Sequence, residues 1–160
     1  MLEFCQWLDQ TSVGTAIRQS LWLFPAIETV HLLGMAALVG TISVLDLRLL
    51  GWAVRQRPVS QLASRLIPLA WVGFGVQVIT GALLFSSEAV KIYGNPAFRL
   101  KMLLLLIAGV QALFFQTTVS QKLPAWDDRP SLPFAAKLIG LSSILLWMGI
   151  VTAGRFIGFV

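Results

Sequence analysis

Four long apolar stretches, separated by short polar connections, dictate the solvent in which this chain folds. Each approaches or exceeds the roughly 20 residues that carry a helix across the hydrocarbon layer of a bilayer. Within that layer the backbone must satisfy its own hydrogen bonds, and short-range helical pairing does so without help from a partner strand. The 160 residues are 57% apolar and only 12% charged, with a mean hydropathy of +0.81. A water-soluble protein of this size could not hide so much apolar surface. The expected fold is all-α, an integral membrane four-helix up-down bundle with a short N-terminal interfacial helix, in a single four-span domain over residues 1–160.

The boundaries follow from helix start and stop signals. Residues 2–19 scatter Leu2, Trp7, Leu8 and Ile17 among polar groups, which predicts the short interfacial helix. The first span is predicted over about 25–50, with Pro25 tolerated in the opening turn, where its missing N–H has no partner anyway. The second runs over about 61–85, with Ser60 as its cap and Pro68 as a candidate kink. SSEAVKIYG forms a polar connection, and Asn95-Pro96 reads as a cap followed by a first-turn proline that launches the third span, about 96–122. Prolines 124, 130 and 133 mark the next loop, and the fourth span covers about 133–159.

The formal net charge is +5, yet the basic residues are spread over the ends of the apolar runs instead of forming a patch, so no nucleic-acid partner is expected. Arg55, Arg57, Arg65, Lys122, Arg129 and Lys137 fall on one side, against Arg18 and Lys91 in the opposite loops. The positive-inside rule makes the richer side cytoplasmic and predicts a multi-pass protein of the bacterial inner (plasma) membrane with both termini periplasmic. MLEFCQWLDQ lacks the basic start and apolar core of a signal peptide. Cys5 is the one cysteine, so no internal disulfide or paired-cysteine metal motif is available.

Polar residues converge on one leaflet. WLFPAIETVHLLG, residues 22–34, carries Glu28 and the single histidine, His31, one helical turn apart at the start of the first span. Arg99 and Lys101 open the third span, Arg155 ends the fourth, and Thr80 and Gly81 reach the same depth on the second. Glu28, His31 and Met35 share a helix face, and Asp46, 18 residues and five turns beyond Glu28, belongs to it at the far end. Gly34, Gly73, Gly75, Gly81, Gly109, Gly149 and Gly154 would let backbones or a flat ligand come close. Trp22, Trp52 and Trp126 sit where an interfacial aromatic belt would place them.

Ionisable groups at membrane depth usually serve function, because an isolated one costs several kcal/mol. A neutral imidazole can ligate haem iron, with its second nitrogen oriented by a carboxylate or carbonyl. Arg99, Lys101 and Arg155 would then pair with propionates. The first reading is therefore a haem b site, with His31, Glu28, Arg99, Lys101 and Arg155 as cofactor-binding residues and a quinone as electron partner. A lone histidine cannot supply two imidazoles within one chain, so either a second subunit, in a homo-oligomer or a larger membrane complex, supplies a ligand, or ligation is His/Met or five-coordinate. Copper is the alternative occupant, with Met35, Met102 and Met148 joining His31 as metal ligands. A cofactor-free structural or assembly subunit, clamped by Glu28 with Lys101 or Arg155, is the third reading. The HExxH motif, phosphate-cradling glycine loops and a nucleophile elbow are missing, so no hydrolase is expected, and any enzyme here would be an oxidoreductase.

IRQSLWLFPAIETVHLLG, DLRLLG, TGALLF, YGNPAFRLKM and TAGRFIGF together resemble an uncharacterised family of short bacterial four-helix membrane proteins, over nearly the whole chain. More distantly, His31, Arg48 with Leu49, and Lys101 resemble a pattern of the four-helix membrane protoporphyrinogen oxidase family, which implies haem b. The histidine-then-glycine pattern of HLLG is similar to the copper-resistance D-type family, which implies copper.

The topology is open to direct test. A cysteine introduced at Gln56 is expected to react with a membrane-impermeant thiol reagent only from the cytoplasmic side, and one at Gly94 only from the opposite side. The reverse pattern would move His31 to the inner leaflet.

Overall fold

The structure, a computed structural model, describes residues 2–127 and 131–159. Arg129 and Pro130, read above as a topology signal and a loop proline, lie outside the described residues. The described chain is helical: α1 (Leu2–Asp9), α2 (Ser12–Gln19), α3 (Leu23–Leu50), α4 (Val59–Ser87), α5 (Ala89–Tyr93), α6 (Pro96–Phe114), α7 (Leu123–Asp127) and α8 (Phe134–Phe156). A π-helical turn (Phe115–Val119) and a 3-10 turn (Ser120–Lys122) join α6 to α7. Four helical stretches are long and apolar enough to cross a membrane: α3, α4, the continuous run Pro96–Asp127, and α8. The protein is therefore a four-helix membrane bundle, with α1, α2 and α5 at the end that carries both termini, termed the outer end.

The N-terminal segment is two helices and not one. Thr11 breaks it, its hydroxyl oxygen accepting from Gly14 N–H at 3.2 Å as the cap of α2. α2 then docks on α4 so closely that a Cβ at Gly14 would lie 2.5 Å from the Ser86 carbonyl oxygen. Cys5 and Ile17 are buried beneath this packing. Arg18 fastens the arrangement, donating to the Asp9 carboxylate at 2.7 Å and to the Ser87 carbonyl at 3.1 Å.

α3 is the central helix, packed on α4 and on α8, while α6 packs on α8. Small residues permit the approach: a Cβ at Gly73 would sit 3.1 Å from the Leu38 side chain, and one at Gly140 would sit 2.8 Å from the Asp46 carbonyl oxygen. α4 and α6 barely meet, so the four helices form an open arc in the order α4, α3, α8, α6. The inner end is closed by a core of Leu45, Leu49, Val59, Ala63, Val119, Leu123 and Ala136. Trp126 packs on that core, unlike Trp22 and Trp52, which are exposed as a belt requires.

Asn95 caps α6 as its sequence predicts, its side-chain oxygen accepting from Ala97 N–H at 2.9 Å and Phe98 N–H at 3.2 Å, with Pro96 in the first turn. The third span changes to π and 3-10 turns within its expected length and continues past the expected end, through α7 to Asp127. Pro124 explains the change of register: with no N–H of its own, it leaves the Ser120 carbonyl to accept from Leu123 N–H instead. α4 runs unbroken through Pro68 and starts at Val59, not Gln61. Its cap is not Ser60 but Asp127, whose carboxylate accepts from Val59 N–H at 2.5 Å, from Ser60 N–H at 3.3 Å and from the Ser60 hydroxyl.

That cap ties the start of the second span to the end of the third across 68 positions of sequence. Asp127→Ala is expected to cost about 1 kcal/mol, the usual worth of an N-cap, seen as a lower melting temperature in detergent. Asp127→Asn, which keeps one acceptor oxygen, should recover part of the loss. An unchanged melting temperature for Asp127→Ala would mean the cap contributes nothing.

Candidate functional site

α3 spans 28 residues. At 1.5 Å per residue, His31 lies about 8 Å from its midpoint and Glu28 about 13 Å. In a hydrocarbon layer about 30 Å thick the imidazole is inside the apolar region, while the carboxylate reaches the boundary with the headgroups. The two are also turned apart: three residues rotate a helix by about 300°, so they differ by about 60° in direction. His31 faces α4 and is half-buried, whereas Glu28 is exposed.

His31 meets the two α4 residues expected at its depth. Its Nδ1 lies 2.8 Å from Thr80 Oγ1, and a Cβ at Gly81 would sit 3.4 Å from His31 Cε1, so the glycine leaves the ring its place. The Thr80 hydroxyl donates its own proton to the Val76 carbonyl at 2.6 Å. A hydroxyl has one proton to give, so Nδ1 must be the donor in the first bond. The lone pair of the imidazole is thereby placed on Nε2, which makes no hydrogen bond among the described residues. Gln77, one turn before Thr80, donates from Nε2 to the His31 carbonyl at 2.5 Å and so fixes the backbone of α3 at the same level. Gln77 is absent from the sequence-derived site, although an amide within an otherwise apolar run, three positions from Thr80, was the available signal.

The cations reach this end of the bundle in different ways. Lys101 is partly buried against α8, where a Cβ at Gly154 would lie 3.4 Å from its Nζ. Arg99 is exposed, donates to the Tyr93 carbonyl at 3.3 Å and lies over the Tyr93 ring at 5.6 Å. Arg155 is exposed over the Phe159 ring at 5.3 Å. Both arginines thus sit over aromatic rings, and their terminal guanidinium nitrogens make no hydrogen bond among the described residues.

The expected ion pair of Glu28 with Arg99, Lys101 or Arg155 is not formed: among the described residues Glu28 makes neither an ion pair nor a hydrogen bond. Its position at the headgroup boundary removes the need for one. The orienting role expected of Glu28 falls to Thr80. Asp46, which shares the direction of Glu28, is buried as a protein-facing stripe requires; α8 closes over it at Gly140, where the outer end leaves Glu28 open. Of the methionines, Met35 is partly buried one turn from His31, while Met102 and Met148 are 49% and 61% exposed. No group of three or more His, Cys, Asp or Glu side chains able to hold a metal occurs among the described residues.

With this geometry in view, the chain belongs to a family of unknown function (DUF6644), whose model matches residues 4–160. No curated protein and no solved structure matches it.

Proposed function

We propose that this member of a family of unknown function is an integral membrane b-type haem protein that passes electrons between a quinone or tetrapyrrole pool and a periplasmic partner. The observation that supports it is the relay His31–Thr80–Val76. It holds the imidazole as the Nδ1–H tautomer, with the Nε2 lone pair available half-buried at the outer end of the bundle. Metal-bound histidines carry this kind of partner on their other ring nitrogen, which fixes the tautomer and the ring direction. Haem, when bound, supplies one-electron chemistry at its iron.

The chain's own residues do the rest. His31 would offer its Nε2 to the iron, and Thr80 and Gly81 set the plane of its ring. Lys101, with Arg99 and Arg155, receives propionates at the outer end, where carboxylates would otherwise be costly to hold. A further ligand would come from a partner, in a homo-oligomer or a larger complex of the bacterial inner membrane with both termini periplasmic. Copper is the weaker alternative, because Met102 and Met148 are exposed whereas His31 is held between α3 and α4. The cofactor-free assembly reading loses its clamp, since Glu28 makes no ion pair among the described residues.

His31→Ala is expected to abolish the Soret band of protein isolated in mild detergent while the helical circular dichroism persists, because the interhelix packing does not depend on the ligand. Lys101→Ala should weaken haem retention without abolishing it. Haem content unchanged in His31→Ala, or none in the unaltered protein gently isolated from its own membrane, would overturn the proposal.

A further inference from the structure

The haem reading leaves the inner half of the bundle unused, and two features there belong together. One is an apolar cleft of about 470 Å³ in the gap between α4 and α6, floored by α3 and α8. Its volume falls in the range of small-molecule sites. The other is Asp46, 4% exposed, which lines that cleft. Ser143 of α8 faces the carboxyl, but Oδ2 is buried with no hydrogen-bond partner among the described residues. Leaving such an oxygen unsatisfied destabilises the fold, and a helix that only had to pack would do better with an apolar residue here.

Three other polar side chains of the cleft are already engaged. Thr41 donates to the Ala37 carbonyl at 2.6 Å, Gln111 donates to the Ile139 carbonyl at 3.2 Å and to Ser142 Oγ at 3.0 Å, and Gln116 accepts from Trp71 Nε1 at 3.2 Å. Ser143 and the Trp147 indole also line the cleft, and Asp46 Oδ2 is the buried oxygen there that lacks a partner among the described residues. The remainder of the wall is apolar, including Leu38, Phe74 and Leu105, and the inner end is sealed by Val119 and Leu123. Entry is therefore sideways from the lipid, past the Trp71–Gln116 bond that spans the mouth. Phe115 and Gln116 of the π turn form part of the lining, and π turns within helices recur at functional sites.

We propose that this cleft binds a lipid-soluble compound bearing a hydroxyl group, with Asp46 as the polar anchor. A hydroxyl both donates and accepts, so it satisfies Oδ2 whichever protonation state the carboxyl adopts, whereas an ammonium group can only donate. The apolar body of the ligand fills the cleft in place of lipid tails. Hydroquinones and isoprenoid alcohols share this chemistry. The inference uses none of the residues of the haem site, and its test does not read haem.

The test is photolabelling of the purified protein in lipid nanodiscs with a diazirine-bearing farnesol, with adducts located by mass spectrometry. Labelling is expected on cleft residues such as Trp71, Phe74 and Gln116, and unlabelled alcohol should compete at least about tenfold better than its methyl ether, which lacks the donor. A short-chain hydroquinone serves as a second competitor; whichever of the two alcohols competes better identifies the source, and either result supports the site. Asp46→Leu should erase the preference of alcohol over ether. Gly109→Leu fills the cleft from α6, where a Cβ has open space, and should reduce labelling with Asp46 intact. The proposal is overturned if alcohol and ether compete equally in the unaltered protein, which would mark a groove for ordinary lipid. It is equally overturned if the cleft residues cross-link to a second copy of the chain and resist labelling.

Discussion

Inside a bilayer no water is at hand, so each polar side chain must find its partner within the bundle, and this constraint organises the structure. Most hydroxyls meet it locally by donating to a carbonyl one turn back, as Thr29 does to Pro25, Thr41 to Ala37, Thr80 to Val76 and Thr117 to Leu113. Such bonds neutralise a polar group without consuming a neighbour. Thr80 goes further, because the oxygen that has given its proton to Val76 still accepts from His31. One helix thus determines which nitrogen of an imidazole on another carries the proton. Gln77 reaches across the same interface to the His31 carbonyl, so α3 and α4 are joined at the level of the ring by two bonds of different character. Among the described residues Asp46 Oδ2 is buried without a partner, and the inferred ligand of the inner cleft would bring it back within the rule.

The open order α4, α3, α8, α6 separates the two ends of the molecule. At the outer end, helix packing converges on His31, with cations arriving from α6 and α8. Below it the failure of α4 to meet α6 leaves a cleft that faces lipid. The inner end is shut again by the apolar core around Leu49 and Leu123 and by the Asp127 cap on α4. A bundle fastened at both ends and open between them can admit a molecule from the bilayer without coming apart.

Much of this was legible in the sequence, and the rest was hidden for physical reasons. Hydropathy located the four spans, Asn95-Pro96 announced the start of α6, and counting residues placed Thr80 and Gly81 at the depth of His31. Periodicity gives the direction of a residue on its own helix but not which neighbour lies in that direction. That is why Glu28 and Asp46, five turns apart with the same direction, came out opposite in burial. Contacts between residues far apart in sequence were equally silent: nothing local to Ser60 indicates that Asp127 will cap its helix. The 3-10 turn at Ser120–Lys122 has a visible cause in Pro124, although a proline there reads equally well as a loop signal. The N-terminal segment was read by its apolar positions, and Thr11 as an internal cap was overlooked.

The account turns on which nitrogen of His31 is left free, and nitrogen NMR reads that directly. In protein with 15N-labelled histidine, reconstituted in lipid near neutral pH and free of added metal or haem, the single imidazole should show a protonated Nδ1 and a non-protonated Nε2. Thr80→Val, which removes the acceptor, should abolish that preference. A spectrum of the unaltered protein with the proton on Nε2 would contradict the account, because the lone pair would then point at Thr80 and no nitrogen would remain to bind a metal.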